Sequence, residues 1–363
     1  MKEILLLIEI PSQDYTNGIA ESNLRLMKEI KSVFKVYFFE DRPFHKKRFY
    51  LLSKLLSIIY FFKNYILFVL KRFTKGFKRF DYFYIVISVN SPLGILKNLI
   101  QIILLRPYSK QVIVHIHRSD INEYNYTWSI INRLQKAILS WASKIIVLSK
   151  KLSFSKSLIK YKSKIFVLGN SLNPELETLL LQLDINLPID ISKTRFFFYS
   201  NILLSKGISL YLNLFKENKF LNKDFSTVAG FPNEKKLVNY VKDCNHKYIG
   251  HISGDSKRKL FLNNDCLIFC SPNEGAPLIL LEAMASGVFI ISSNVGFIPE
   301  LLGKNYPFMC NPNVKDISKL IDKYFNLTKN ERYKIILNQR RRYIKLYSYK
   351  KWTEKTQIIF NND

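Results

Sequence analysis

Two glutamates, Glu274 and Glu282, stand eight positions apart in the run S-P-N-E-G-A-P-L-I-L-L-E-A-M-A-S-G, with a Gly275-Ala276-Pro277 turn between them. Carboxylates so placed can accept hydrogen bonds from hydroxyl groups. Pro277 suits a first helical position, because it has no N–H to lose there and its φ is already set. Strong helix formers follow through Ala285, and Gly287 reads as the C-cap. Two turns of helix cover about seven residues, so both carboxylates can look toward one cleft. The N–H groups of Gly275, Ala276 and Leu278 fall at the positive end of the helix dipole, a place for a phosphate or a polarised hydroxyl.

Other residues with chemical capacity lie at expected strand ends. Lys206, in N-I-L-L-S-K-G, follows an aromatic strand. In V-H-I-H-R-S-D, alternation puts His115 and His117 on one face, and only His117 reaches the strand's exit. Arg118 comes next, as an anion contact or a cap on the sheet. Thr16-Asn17-Gly18-Ile19 is a turn signal before the first helix. Cys244, Cys266, Cys270 and Cys310 are scattered. The Cys266/Cys270 spacing has no second Cys/His pair to complete a zinc site, so these are expected to be reduced, mostly buried thiols.

These residues need strands and helices to position them, and the chain alternates the two. Strands are expected at 4–10, 36–39, 82–89, 111–117, 145–148 and 164–168, then at 195–200, 227–229, 248–250, 266–270 and 288–292. The first helix spans about 20–33. Such alternation specifies an α/β fold with parallel sheets, which bind ligands at the carboxyl ends of their strands. A chain of 363 residues suits two domains. We expect a first domain over 1–172, a linker over 173–194, a second domain over 195–340 and a terminal helix over 341–363. The opening M-K-E-I-L-L-L-I-E-I-P is broken by Glu9 and lacks a cleavage site, so it reads as a first strand in a cytoplasmic protein.

Net charge is +28, and about two-thirds of the excess falls before residue 170. It concentrates in 42–79, where His45-Lys46-Lys47-Arg48 and the basic run 71–79 flank a very apolar stretch, 51–70. Lys54, Lys63 and Asn64 interrupt that stretch, so a membrane span of about 20 apolar residues is excluded. One or two amphipathic helices lying on an anionic membrane surface are expected, with a core helix carrying solvated basic flanks as the alternative. Nucleic acid is not the expected partner, since no zinc finger, basic zipper or RNA-binding motif accompanies the charge.

The fixed positions E-G-x-P-x-x-x-x-E-A-M-A-x-G followed by G-x-I-P-E, here running from Glu274 to Glu300, resemble the donor site of retaining glycosyltransferase family 4. The resemblance implies a GT-B fold, in which two Rossmann-like domains face a central cleft and a C-terminal helix crosses back to the first. It implies that Glu282 holds the donor ribose hydroxyls, while Glu274 holds the sugar and stabilises charge on its ring. Gly275, Ala276, Pro277 and Leu278 would seat sugar and phosphate, and Lys206 would neutralise the departing diphosphate. Many members carry arginine where this chain has Asn201, which shifts that neutralisation onto Lys206 and the helix N-terminus. Gly18 matches a loop glycine near the diphosphate, His117 a histidine beside the donor sugar, and Tyr248 to Ile252, with His251 and Ile252, the nucleobase loop.

Taken with the basic apolar region 42–79, the resemblance leads us to expect a peripheral enzyme of the inner membrane face. It would move a sugar, with retention, from a nucleotide sugar (UDP-sugar first, GDP-sugar second) to a lipid-linked saccharide in surface polysaccharide assembly. No metal or other cofactor is implied, and no D-x-D motif is present in a plausible loop. A catalytically silent relative, binding nucleotide sugar or membrane in partnership with another protein, is the competing reading. A GT-B epimerase or phosphorylase would want acid/base carboxylates or a pyridoxal lysine that are not evident.

Overall fold

The structure, a computed structural model, describes residues 1–11, 18–41, 50–74, 78–89, 91–117, 129–219 and 221–361. It divides into two compact units, Met1–Gly169 and Asn170–Asn361.

The first unit runs β1 (Glu3–Ile8), α1 (Gly18–Ile30), β2 (Lys35–Glu40), α2 (Tyr50–Thr74), β3 (Phe80–Val86) and α3 (Pro92–Leu105). It continues with β4 (Ser109–Ile116), α4 (Ser129–Trp141), β5 (Lys144–Val147), α5 (Lys150–Ser153) and β6 (Ile165–Val167). Its strands form one parallel sheet in the order β2-β1-β3-β4-β5-β6. Central β1 is apolar without alternation, and Ile4 to Ile8 are all buried, as a parallel strand covered on both faces requires. Edge strand β2 is only half-buried.

The second unit opens with α6 (Pro174–Leu181), then β7 (Phe196–Tyr199), α7 (Ile208–Glu217), β8 (Ser226–Ala229), α8 (Lys235–Asp243), β9 (Lys247–Tyr248) and α9 (Asp255–Leu262). It closes with β10 (Cys266–Phe269), α10 (Leu278–Ser286), β11 (Phe289–Ser293), α11 (Ile298–Leu302), β12 (Met309–Cys310), α12 (Val314–Phe325), α13 (Lys329–Leu346) and α14 (Tyr349–Asn361). All its pairings are parallel, in the order β12-β11-β10-β7-β8-β9. Strand order reverses at β7, so β7 and β10 flank a topological switch point, where open α/β sheets bind ligands. Both units are thus Rossmann-like.

Two expectations need correction, one strand was not foreseen, and the basic apolar region is one helix rather than two. The segment expected as a linker is part of the second unit: Leu172, Leu180 and Leu183 lie in its core, and Arg340 Nη2 donates to the carbonyls of Leu180 and Leu183. The terminal helix expected over 341–363 is two helices, because α13 begins at Lys329 and ends with Leu346, and α14 restarts at Tyr349. Strand β12, only two residues long, was too short to show a period. The apolar stretch 51–70 lies within one helix, α2, which docks Phe61 and Phe68 against Phe39 and Phe80 while exposing Ile59, Phe62, Ile66 and Leu70. That stripe of spacing three and four is one helix face. No helix among the described residues is long and apolar enough to cross a membrane.

Candidate functional site

In the second unit, the loop after β7 is held by its glycine. Leu204–Lys206 form a 3-10 turn capped by Gly207 at φ 83°. A Cβ on Gly207 would sit 2.3 Å from the Cys270 carbonyl oxygen, so only glycine lets this loop lie against the end of β10. Four residues beyond Cys270 is Glu274, and Lys206 Nζ reaches its Oε1 at 2.7 Å. The close backbone approach therefore produces the ion pair. Ser293 Oγ donates to the Ser271 carbonyl at 2.7 Å, tying the same loop to the end of β11.

Helix α10 begins one residue later than its sequence indicates. Pro277 is the N-cap, at φ −69° and ψ 125°, and Leu278 is the first helical residue. An extended proline at this junction still stops the helix from growing backwards. Among the described residues no side chain caps the N-terminus, and the Pro277 carbonyl accepts a long bond from Leu280 N–H at 3.3 Å. Gly275, Ala276 and Leu278 are half-buried there, and Asn170 Nδ2 donates to the Ala276 carbonyl at 2.6 Å. Gly287 ends the helix at φ 77°, the expected left-handed cap.

Glu282, on α10, is buried and bridges to Lys257 of α9 at 2.8 Å through Oε1. Its Oε2 is buried with no partner among the described residues. An acceptor held in that state is costly unless something donates to it. Burial pulls the Lys257 pKa down, but the Glu282 carboxylate and Tyr199 hydroxyl more than offset this, and the net shift is upward. Lys257 Nζ also lies 5.5 Å from the centre of the Tyr199 ring, and the Tyr199 hydroxyl donates to the Ile252 carbonyl at 3.4 Å. The glutamate and the loop around Ile252 are therefore joined through two residues, Lys257 and Tyr199, that sequence reasoning missed. Lys257 is one of 56 basic residues and carries no motif of its own.

Of the remaining second-unit positions, Ile252 is buried, whereas His251 is exposed and meets Phe231 edge-on. Asn201 is half-buried, and the next residue, Ile202, bonds through its N–H to the Phe231 carbonyl. Cys266 and Cys270 are buried, free thiols, the latter pushed up to about 12 by burial. They are core residues, inert as nucleophiles.

In the first unit, Gly18 is the first residue of α1, the helix that follows β1, and His117 directly follows the carboxyl end of β4. Arg118 lies outside the described residues. Tyr84 and His115 Nδ1 are hydrogen-bonded, and the His115 and His117 rings are 3.9 Å apart. Burial lowers the His117 pKa to about 4 and holds His115 well below the ordinary value, with His117 adding to the latter. His117 is thus neutral at pH 7 and can exchange hydrogen bonds with a hydroxyl. The folded pKa lies below the unfolded one, so this stability is full above about pH 6.5 and falls as pH drops toward 4. Urea unfolding of the first unit should lose about 3 kcal/mol over that window from His117 alone. His117→Gln should flatten the slope, and an unchanged slope would show that His117 is not buried as described.

Known proteins share this fold. The chain aligns over 99% of its length, and 98% of the other, with sucrose-phosphate synthase from Thermosynechococcus elongatus at TM-score 0.72 and 15% identity. A glycosyltransferase from Rickettsia africae ESF-5 aligns over the whole of both chains, at 0.70 and 14%. Anabaena HepE in complex with UDP-glucose aligns over 99% of both, at 0.63 and 14%. These likenesses establish the GT-B fold. One component of human phosphatidylinositol N-acetylglucosaminyltransferase is 23% identical over 132 residues, which is 34% of this chain and only 27% of that protein. Residues 157–342, just over half of the sequence, match the family of glycosyl transferases group 1, and the chain belongs to that family.

Proposed function

We propose that the protein transfers a sugar, with retention, from a nucleotide sugar to a lipid-linked saccharide at the inner face of a cell membrane, in surface polysaccharide assembly. The observation that carries the donor half is the buried, unpartnered Oε2 of Glu282, beside a switch point where Lys206 and Glu274 also meet. A ribose hydroxyl donating to Oε2 satisfies it, while Lys257 holds the other oxygen in place. Glu274 then faces the sugar. Lys206 and the uncapped N-terminus of α10 stabilise the diphosphate as the anomeric C–O bond breaks and its electron pair moves to the phosphate oxygen. The acceptor hydroxyl forms the new bond and gives its proton to that departing oxygen. A covalent intermediate on Glu274 would need the carboxylate freed from Lys206 first.

UDP is the first candidate nucleotide, in keeping with the UDP-glucose bound by the HepE relative. The lipid acceptor accords with the name of the human relative and with the exposed apolar face of α2. Melting temperatures measured with UDP, GDP, ADP and CMP test the reading. One nucleotide at a hundred times its Kd should stabilise by about 2.7 kcal/mol. A folded protein that responds to none would be a catalytically silent relative.

A further inference from the structure

The first unit holds a cavity of about 570 Å³ at the amino ends of β3 and β4, far from the histidines. Ser109 lines it and His117 follows the other end of the same strand, about 26 Å away at roughly 3.3 Å per residue. Its walls bring together Arg79, Arg106, Lys110 and Trp141. Lys110 is offset by Asp81 at 2.8 Å, but neither arginine is ion-paired among the described residues. The Arg106 guanidinium lies over the Trp141 ring at 5.4 Å, a cation–π contact that fixes its position at the cavity wall. Guanidinium groups that are not themselves paired with a carboxylate favour an anion, and their planar fork matches phosphate oxygens.

The surroundings say which phosphate. On α3, Leu93, Leu96, Ile100 and Ile103 form an exposed stripe along one helix face, and Ile103 is itself a cavity wall. Arg106 shares a 3-10 turn with Tyr108, onto which Tyr65 and Phe68 of α2 pack edge-on. The opposite side of α2 presents Ile59, Phe62, Ile66 and Leu70 to solvent. β2 to β3 and β3 to β4 step in the same direction across the sheet, so the right-handed rule for parallel crossovers puts α2 and α3 on one face. A soluble phosphate would have no use for this apolar border. A lipid would use both.

We propose that the cavity seats the phosphate of an anionic phospholipid, with the exposed faces of α2 and α3 resting in the bilayer around it. This rests on the membrane half of the proposed function and not on the transfer chemistry. The test is co-sedimentation of the full chain with phosphatidylcholine vesicles, with and without phosphatidylglycerol. Wild type should prefer the anionic vesicles. Each basic residue at such a surface contributes about 1 kcal/mol, so Arg79→Gln/Arg106→Gln should weaken partitioning roughly 30-fold. Lys235→Gln/Lys236→Gln, an equal loss of charge in the second unit, should change it far less. If losing the Trp141 contact unfolds the double variant, Arg79→Gln alone, about fivefold weaker, serves instead. Equal weakening by both pairs would overturn the cavity assignment and leave the membrane reading standing. Failure of wild type to bind any vesicle would overturn both. Equal binding of wild type to vesicles with and without phosphatidylglycerol, with a melting-temperature rise in millimolar inorganic phosphate that the arginine variant loses, would overturn the lipid assignment in favour of a free phosphate.

Discussion

Glu282→Leu is expected to abolish nucleotide-induced stabilisation and to lower the melting temperature of the second unit by about 5–10 °C. Two effects combine. The substitution removes the proposed ribose acceptor, and it leaves the Lys257 ammonium beside Tyr199 without its carboxylate. Breaking one side of a buried pair costs several kcal/mol, reduced here to about 2–3 because Lys257 keeps some access to solvent. The raised pKa of Lys257 means that the pair's contribution persists up to about pH 10 and is lost only above it. Calorimetry of Glu282→Leu/Lys257→Met separates the two effects. An apolar pair of similar volume should recover most of the stability yet still bind no nucleotide. Nucleotide binding by that double variant at wild-type strength would remove Glu282 from the donor site.

Lys206→Ala is expected to lower turnover by about 10²–10³ with a much smaller change in donor KM. The ammonium is paired with Glu274 in the unliganded chain, so its attraction for the donor is partly offset in the ground state. Its effect grows as negative charge gathers on the leaving diphosphate, and Asn201 supplies no second cation nearby in sequence. The measurement is kcat and KM for transfer from whichever nucleotide sugar the melting series selects. A variant that retained wild-type turnover would show that diphosphate neutralisation comes from elsewhere, and the Lys206–Glu274 pair would then be a structural tie. Because Gly207 alone permits the close approach that forms the pair, disturbance of the loop has to be separated from loss of charge. Lys206→Met keeps the stem and the turn, and should match Lys206→Ala in turnover.

Much of this protein was legible in its residues. The central strands appear as unbroken apolar runs, since a parallel strand covered on both faces has no polar side to alternate with. The string from Glu274 to Glu300 named the family because the turn, helix and cap it encodes are local: Gly287 must be a left-handed cap wherever the rest of the chain goes. Local signals are blurred at the edges. Pro277 fits the first helical position and the N-cap nearly equally, and tertiary contacts around Ala276 decide in favour of the cap. Likewise the basic apolar region announced an amphipathic helix, but which face would dock depended on Phe39, Phe80 and Tyr108, which arrive from three other segments.

What the sequence determined by itself is the α/β class and the family, because each rests on propensity, period or a contiguous motif. What only the tertiary structure decided is who meets whom. Lys257 reaches Glu282 across 25 positions, and Lys206 reaches Glu274 across 68, because strand order places β7 beside β10 and brings α9 against α10. Arg79, Arg106 and Trp141 converge for the same reason, at the amino ends of strands that are neighbours only in the folded sheet. Side-chain pairing between distant segments has no period and no local propensity, so it leaves no trace in a single sequence until the crossovers have set the order of the strands.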